Sequence, residues 1–171
     1  MDGKIRSTDQ RNRVLILLGS NLEDPISVIK AVINDLNKLA PLVKKGSLYR
    51  SKSWGFEGED FLNQMIEVKW EFPLCDLMTC LLDIERKNGR IRNKKLQDYE
   101  NRVIDIDIIL WSEGEYLSPN LEVPHPRMLK RRFVLIPLAE YWSDWTHPNS
   151  KSSIVSLLAS CSDENLVHLH K

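Results

Sequence analysis

Runs of apolar side chains separated by polar breaks follow one another along most of the chain, and their spacing predicts the secondary structure. Val14 to Leu18 is a continuous aliphatic run that stops at Gly19-Ser20-Asn21, which predicts a strand buried on both faces. A helix is predicted next, because Asp24 can cap its first turn, Pro25 fits its first position, and apolar residues then recur every three or four positions towards Pro41.

The same reasoning extends over the rest of the chain. Residues 61–72 alternate between two faces, as a strand does, and residues 76–88 carry one apolar stripe before Gly89, as a helix does. Residues 53–60 contain two glycines and predict an exposed loop, a kind of segment that often carries function. Further strands are predicted over 43–53 and 103–111, further helices over 133–142 and 153–160, and a rigid loop at Pro124-His125-Pro126.

The predicted order is β-α-β-β-α-β followed by helices. Two crossover units with a hairpin between them are typical of the ferredoxin-like split βαβ sheet, an α+β fold, and we expect three layers, αβα, with the sheet in the middle. No shift in composition marks a second domain, so residues 13–171 are expected to form a single domain. Residues 1–12 are polar and aperiodic, which predicts a flexible N-terminal segment.

Composition narrows the functional classes. The 171 residues are 42% hydrophobic and 28% charged, which excludes a disordered tail or a coiled coil. Lys plus Arg and Asp plus Glu number 24 each, so any site for a polyanion must be local. The longest aliphatic run is far shorter than the roughly 20 residues that span a bilayer.

The cysteines Cys75, Cys80 and Cys161 lack the spacing of a zinc site. We therefore expect a soluble, cytoplasmic protein with reduced, packed thiols.

Two carboxylates interrupt the apolar strand predicted before Trp111. Asp105 and Asp107 are two positions apart, so they share one face of the strand, with Cα atoms about 7 Å apart. A divalent cation would relieve their repulsion and lost hydration, and Mg²⁺ with phosphate oxygens completing its shell fits best. The alternative is a solvent-facing pair neutralised by arginines, and the residues alone leave both open.

Basic residues surround this acidic pair in the sequence. They are Arg90, Arg92, Lys94, Lys95 and Arg102 before it, and Arg127, Lys130, Arg131 and Arg132 after it. Arginines beside a metal-binding acidic pair are expected where a triphosphate is held, although each basic residue singly also suits a solvated surface. Because the chain has no P-loop or dinucleotide-binding glycine motif, arginine and magnesium must hold any phosphate.

Other side chains suit a flat heterocycle or a phosphate. His125, held between two prolines, can direct a hydrogen bond to a phosphate oxygen, and a structural histidine in a tight turn is the alternative. Asn63 offers a donor and an acceptor for reading the edge of a ring. Core packing is the usual role of aromatic residues, but four that lie near loops or strand starts can clamp a ring by stacking. These are Trp54, Phe56, Phe61 and Phe133.

Several ordered motifs resemble the 6-hydroxymethyl-7,8-dihydropterin pyrophosphokinases of folate biosynthesis. The motifs are Leu18-Gly19-Ser20-Asn21-Leu22, Tyr49-Arg50-Ser51, Phe61-Leu62-Asn63, Ile84-Glu85, Gly89-Arg90-Ile91-Arg92, Arg102-Val103-Ile104-Asp105-Ile106-Asp107, Val123-Pro124-His125-Pro126-Arg127 and Arg131-Arg132-Phe133-Val134-Leu135. Together they span most of the chain, which makes the resemblance far more specific than any single motif.

The resemblance implies that the pterin hydroxymethyl oxygen attacks the β-phosphorus of ATP and expels AMP. It implies two Mg²⁺ ions on Asp105 and Asp107, with Arg90 and Arg102 completing the catalytic set. The implied ATP-binding residues are Glu85, Arg92, Arg102, His125 and Arg131. The implied pterin-binding residues are Ser51, Trp54, Phe61, Asn63 and Phe133, with the pterin between the rings of Phe61 and Phe133. We expect a monomer with these small-molecule substrates and without nucleic-acid or membrane partners.

The chain departs from the family pattern at three places. Phe61 stands where a tyrosine is frequent, and Tyr99-Glu100-Asn101-Arg102 replaces the usual Trp-Gly-Pro-Arg approach to the acidic strand. Around Trp54, the segment Ser51-Lys52-Ser53-Trp54-Gly55 replaces a more proline-rich pattern. The alternative function is a ferredoxin-like single-stranded nucleic-acid-binding module, which the zero net charge and the acidic pair disfavour.

Overall fold

The computed structural model describes residues 11–22, 24–90 and 101–171. Within these residues the elements are β1 (Arg13–Ser20), α1 (Pro25–Leu39), β2 (Leu42–Ser51), β3 (Phe61–Lys69), α2 (Leu74–Lys87), β4 (Asp105–Trp111), β5 (Tyr116–Ser118), β6 (Leu121–Val123), a 3-10 helix (Met128–Lys130), α3 (Arg132–Tyr141), α4 (Ile154–Ala159) and β7 (Val167–Leu169). None of the helices described is both long enough and apolar enough to cross a membrane.

The main sheet has the strand order β4-β1-β3-β2-β7, and every neighbouring pair is antiparallel. Helix α1 connects β1 to β2 across β3, and α2 connects β3 to β4 across β1. These are the two interlocked crossovers of the split βαβ arrangement, so the predicted ferredoxin-like α+β fold is confirmed.

Two apolar cores lie on opposite faces of this sheet. One joins Ile29 of α1 and Leu77 of α2 to Ile16 of β1, and the other joins Leu135 of α3 and Ile154 of α4 to the opposite face of the same strand. Strand β1 is therefore buried on both faces, as its unbroken aliphatic run predicts. The helices on both sides give the expected three layers.

Several predicted element ends are wrong. Strand β3 ends at Lys69 although the alternation continues to Phe72, because the chain bends at Phe72 towards α2, and the indole N–H of Trp70 donates to the carbonyl of Pro73 just before that helix. Phe72 is 67% exposed as a result. Strand β2 ends at Ser51 instead of residue 53, and β4 begins at Asp105 instead of residue 103.

The pattern also missed the β5–β6 hairpin and the edge strand β7, whose three-residue strands are too short to show a periodicity. The three cysteines carry no disulfide, but Cys75 is exposed, so the prediction that all three thiols are packed is wrong there. Of the segment predicted as flexible, residues 1–10 lie outside the described residues. Asn12 is held at the start of β1, where its carbonyl accepts the backbone N–H of Trp70 at 2.7 Å.

Candidate active site

One end of the sheet brings most of the predicted site residues together. The C-terminal ends of β1 and β2 meet the starts of β3 and β4 there, since neighbouring strands run antiparallel. A cavity of about 240 Å³ opens at this end, on the face covered by α3. The predicted residues that line it are Ser51, Trp54, Phe61, Asn63, Arg90, Arg102, Asp105, Asp107, Arg131 and Phe133.

The acidic pair lies on the sheet face that the strand alternation predicts. Asp105 is opposite Gly19 and Asp107 is opposite Leu17 in the β4–β1 register, so both side chains project to the same face. Asp105 accepts hydrogen bonds from Arg102 Nη1 at 2.7 Å and from Arg90 Nη1. The arginine neutralisation that the sequence left as an alternative is thus present at Asp105.

Asp107 is in a different electrostatic environment. Its Oδ2 atom lies 4.0 Å from Arg131 Nη1 and 3.9 Å from His125 Nε2, beyond hydrogen-bond distance of either atom. The loss of surrounding water and the negative charge of Asp105 raise the pKa of Asp107 to about 7. A cation held between the two carboxylates would relieve both causes.

His125 is neutral beside these carboxylates. Its desolvation and the positive charges of Arg131 and Arg127 lower the pKa of His125 to about 4. Its Nδ1 atom accepts the backbone N–H of Arg127 at 3.1 Å, so the single proton of the neutral ring is on Nε2, the nitrogen nearer to Asp107. His125 can therefore donate a hydrogen bond into the site without adding a charge.

Glu85 lies beneath the site and not in its lining. The residue is 1% exposed in α2, where its Oε1 atom accepts the backbone N–H of Ile106 at 2.9 Å and the guanidinium of Arg90. The carboxylate thus connects α2 to β4 and holds Arg90, which in turn reaches Asp105. Glu85 therefore contacts Arg90, a residue that lines the cavity, and the place in the nucleotide pocket that the family resemblance implies for Glu85 stays a prediction.

Aromatic rings and one guanidinium form the opposite wall. Arg131 is 5% exposed, and its guanidinium carbon lies 5.0 Å from the ring centre of Trp54 and 5.5 Å from that of Phe133. These are cation–π distances, so the loop after β2 and the start of α3 meet through Arg131. The rings of Phe56 and Phe61 pack edge to face with centres 6.3 Å apart.

The predicted ring-reading residue Asn63 is buried on β3. Its Nδ2 donates to Ser51 Oγ at 2.9 Å, which orients the amide and places the oxygen opposite Gly19. A Cβ atom on Gly19 would lie 3.3 Å from Asn63 Oδ1 and 3.6 Å from the ring of Phe61. The missing side chain at Gly19 is what leaves room for these two groups beside the acidic pair.

Some cavity residues were not assigned from the sequence, and one assigned residue is not described. Arg92 lies outside the described residues. Lys52, Phe56 and Arg127 also line the cavity. Phe56 is one of the four aromatic residues that the sequence predicts can clamp a ring, although it was not among the implied pterin-binding residues. Arg127 belongs to the basic neighbourhood of His125, a signal too general to assign it a role. Lys52 gave no signal, since an exposed lysine is ordinary.

The two aspartates suit a magnesium ion whose remaining ligands are phosphate oxygens. No group of three His, Cys, Asp or Glu side chains able to hold a metal occurs among the described residues. Two carboxylates on one strand face, without further protein ligands, are the open type of site in which Mg²⁺ keeps waters or takes phosphate oxygens. The donors present therefore suit magnesium bound together with a nucleotide.

Comparisons with known proteins agree with the sequence motifs. The sequence model of the 7,8-dihydro-6-hydroxymethylpterin-pyrophosphokinase (HPPK) family matches residues 15–143. The 2-amino-4-hydroxy-6-hydroxymethyldihydropteridine pyrophosphokinase of Porphyromonas gingivalis is 36% identical over 140 residues, which are 80% of this chain and 95% of that protein. The protein of the same name from Synechocystis sp. is 32% identical over 151 residues, 87% of this chain and 76% of that protein.

Solved structures agree with the fold. The wild-type HPPK-DHPS of Plasmodium falciparum superposes with a TM-score of 0.64 at 13% identity. The match covers 90% of this chain but only 42% of that one, so this chain spans less than half the length of the solved structure. None of these comparisons supports the alternative of a nucleic-acid-binding module. With the family model matching most of the chain and relatives above 30% identity over most of its length, the chain belongs to the 7,8-dihydro-6-hydroxymethylpterin-pyrophosphokinase family.

Proposed function

We propose that this chain transfers the pyrophosphoryl group of ATP to the hydroxymethyl oxygen of 6-hydroxymethyl-7,8-dihydropterin, giving the pterin diphosphate and AMP. The observation that carries the proposal is the single cavity in which Asp105 and Asp107 face arginines at one side and aromatic rings with Asn63 at the other. This arrangement suits a reaction whose catalysis is chiefly positioning and charge stabilisation.

The polar side of the cavity is suited to the triphosphate. Arg90 and Arg102 already point at Asp105, and phosphate oxygens can compete with that carboxylate for the two guanidiniums. Arg131 adds a third buried positive charge, and the Nε2–H of His125 adds a neutral donor. These groups would neutralise the charge that develops on the phosphates during transfer.

Asp105 and Asp107 would hold Mg²⁺, and we propose that two ions bind. Bound there, magnesium would supply positive charge that offsets the negative charge of the phosphates. Desolvation and the charge of Asp105 raise the pKa of Asp107, and a cation bound between the two carboxylates would favour the charged form of Asp107.

The apolar side of the cavity is suited to the pterin. Phe61 and Phe133 offer ring faces, and Asn63, oriented by Ser51, offers its amide oxygen to the edge of the ring. We also propose that the working unit is a monomer and that residues 13–171 form its one catalytic domain.

The test is the identity of the nucleotide product. The protein is incubated with ATP, MgCl₂ and the hydroxymethyldihydropterin, and we expect AMP to appear in step with the pterin diphosphate. Asp105→Ala and Asp107→Ala should each lower turnover by about a hundredfold or more while the protein remains folded. Asp83→Ala removes an exposed carboxylate from α2 and is the matched control with unchanged turnover. Release of ADP, or full activity of either site variant, would refute the proposal.

A further inference from the structure

Two side-chain amides lie where three segments meet outside the cavity. Asn21 follows β1, Asn101 precedes β4, and Glu59 belongs to the loop between β2 and β3. Neither asparagine lines the cavity, and Asn21 is only 6% exposed. Their contacts therefore reach the site through other residues.

The side-chain oxygen of Asn101 accepts hydrogen bonds from the other two segments. Asn101 Oδ1 accepts a hydrogen bond from Asn21 Nδ2 at 2.7 Å and another from the backbone N–H of Glu59 at 3.2 Å. Asn21 Nδ2 also donates to the carbonyl of Glu59 at 3.0 Å. The peptide groups of Glu59 are thus held at both the N–H and the C=O by this pair of amides.

Asn21, which donates to Asn101, also holds the backbone of Arg102. Asn21 Oδ1 accepts the N–H of Arg102 at 2.7 Å, and the N–H of Asn21 donates to the carbonyl of Arg102 at 3.3 Å. The side chain of Arg102 then reaches Asp105 at 2.7 Å. An arginine that faces the acidic pair is therefore placed by the residues that also hold the loop.

The loop that is held in this way carries two aromatic residues of the cavity, Trp54 and Phe56. Asn101 supplies a side-chain oxygen that accepts the N–H of Glu59, which an aliphatic side chain at this position could not do. The contact is close as well as polar, because a Cβ on Gly58 would lie 2.5 Å from Asn101 Oδ1.

We propose that Asn101 is a positioning residue whose amide oxygen couples the 53–60 loop to Arg102, so that the aromatic wall and the arginine at the acidic pair take up one geometry together. The structural part of this inference stands on the hydrogen bonds alone. Its kinetic part rests on the proposed function.

The structural part is tested by amide hydrogen exchange of the unliganded protein, measured by NMR. In Asn101→Ala, we expect the Glu59 amide to exchange about tenfold faster, since it loses its acceptor. The Arg102 amide should also exchange faster, because Asn21 loses the partner that orients it. Asn101→Asp keeps an acceptor oxygen and should retain the protection of Glu59. Unchanged exchange of either amide in Asn101→Ala, or equal loss in Asn101→Asp, overturns the proposal.

The kinetic part is tested with the two substrates. Asn101→Ala should lower kcat/KM by about tenfold for both ATP and the pterin, the loss expected for one working hydrogen bond. The matched control is Asn37→Ala, which removes an exposed amide acceptor from the backbone N–H of Leu42, away from the site, and should leave kcat/KM unchanged. Faster exchange with unchanged kcat/KM for both substrates would refute the positioning role. A wild-type protein without pyrophosphoryl transfer would instead refute the proposed function and leave the exchange result to decide the coupling.

Discussion

Replacement of Glu85 by glutamine tests whether a buried charge supports the site from below. Glutamine has nearly the same shape and keeps an oxygen that can accept the N–H of Ile106. What it removes is the negative charge that pairs with Arg90, a guanidinium that is 13% exposed. The variant therefore removes the ion pair between Arg90 and residue 85 but keeps the ion pair between Arg90 and Asp105.

The magnitude follows from this geometry. A buried hydrogen bond to a charged group contributes about 1.5–3 kcal/mol, and removal of one partner from a fully isolated buried pair costs about 3–5 kcal/mol. Because Asp105 still pairs with Arg90, we expect Glu85→Gln to lower the free energy of unfolding by about 1.5–3 kcal/mol. Asp83→Asn, which removes the exposed ion pair to Arg86 on the same helix, should cost about 0–1 kcal/mol.

The assay is urea denaturation at pH 7 followed by circular dichroism, with the free energy and its urea dependence compared between the two variants. The same proteins are then assayed for the KM of ATP. A loss of stability in Glu85→Gln that matches the small loss in Asp83→Asn, together with a large rise in the KM of ATP, would place Glu85 in direct contact with the nucleotide and refute the supporting role.

Three further changes separate the two sides of the cavity. Trp54→Leu removes one ring from the Arg131 guanidinium and from the residues predicted to bind the pterin, so it should raise the KM of ATP by about threefold to tenfold in steady-state assays and raise the KM of the pterin as well. Trp54→Phe keeps a ring face and should keep most of the affinity. Gly58→Ala places a Cβ 2.4 Å from the ring of Phe56 and 2.5 Å from Asn101 Oδ1, so these side chains must move, and we expect a higher KM for the pterin with little change in melting temperature. Addition of EDTA should abolish turnover and excess MgCl₂ should restore it. The melting temperature should stay unchanged, because the described residues form no cluster of three metal-binding side chains.

Each of these expectations has a contradicting outcome. If Trp54→Leu raises the KM of the pterin alone, the ring serves pterin stacking and not Arg131. If Gly58→Ala leaves both KM values unchanged, the loop does not contribute to pterin binding. Turnover that persists in EDTA would exclude the assigned role of the acidic pair in holding a metal.

Local patterns were sufficient for the long elements of the fold. The aliphatic run of β1, the Asp24 cap of α1 and the apolar stripe of α2 each predict an element that the structure contains, because burial imposes a period on the side chains. The short strands β5, β6 and β7 were not predictable in this way. Their pairing depends on neighbours elsewhere in the chain, and three residues are too few for a period.

The candidate site shows the same division. The two-residue spacing of Asp105 and Asp107 predicts a shared face, because side-chain direction alternates along any strand. In the structure, Asp105 is paired with Arg90 and Arg102, whereas Asp107 has a raised pKa. Both facts depend on distances between side chains, which the spacing of residues in the sequence does not give. The family resemblance implies that Glu85 binds the nucleotide, and only the structure shows that its carboxylate is buried and bonded to Arg90.

The amino-acid sequence by itself determined the order of the long elements, the common face of the acidic pair and the family to which the chain belongs, since these depend on residue types and their local spacing. Tertiary structure alone decided which guanidinium meets which carboxylate, which ring lies on Arg131, and how Asn101 connects the loop to Arg102. The physical reason is that hydrogen bonds, ion pairs and stacking act over a few ångströms between residues far apart in the chain, and only the packed fold determines those distances.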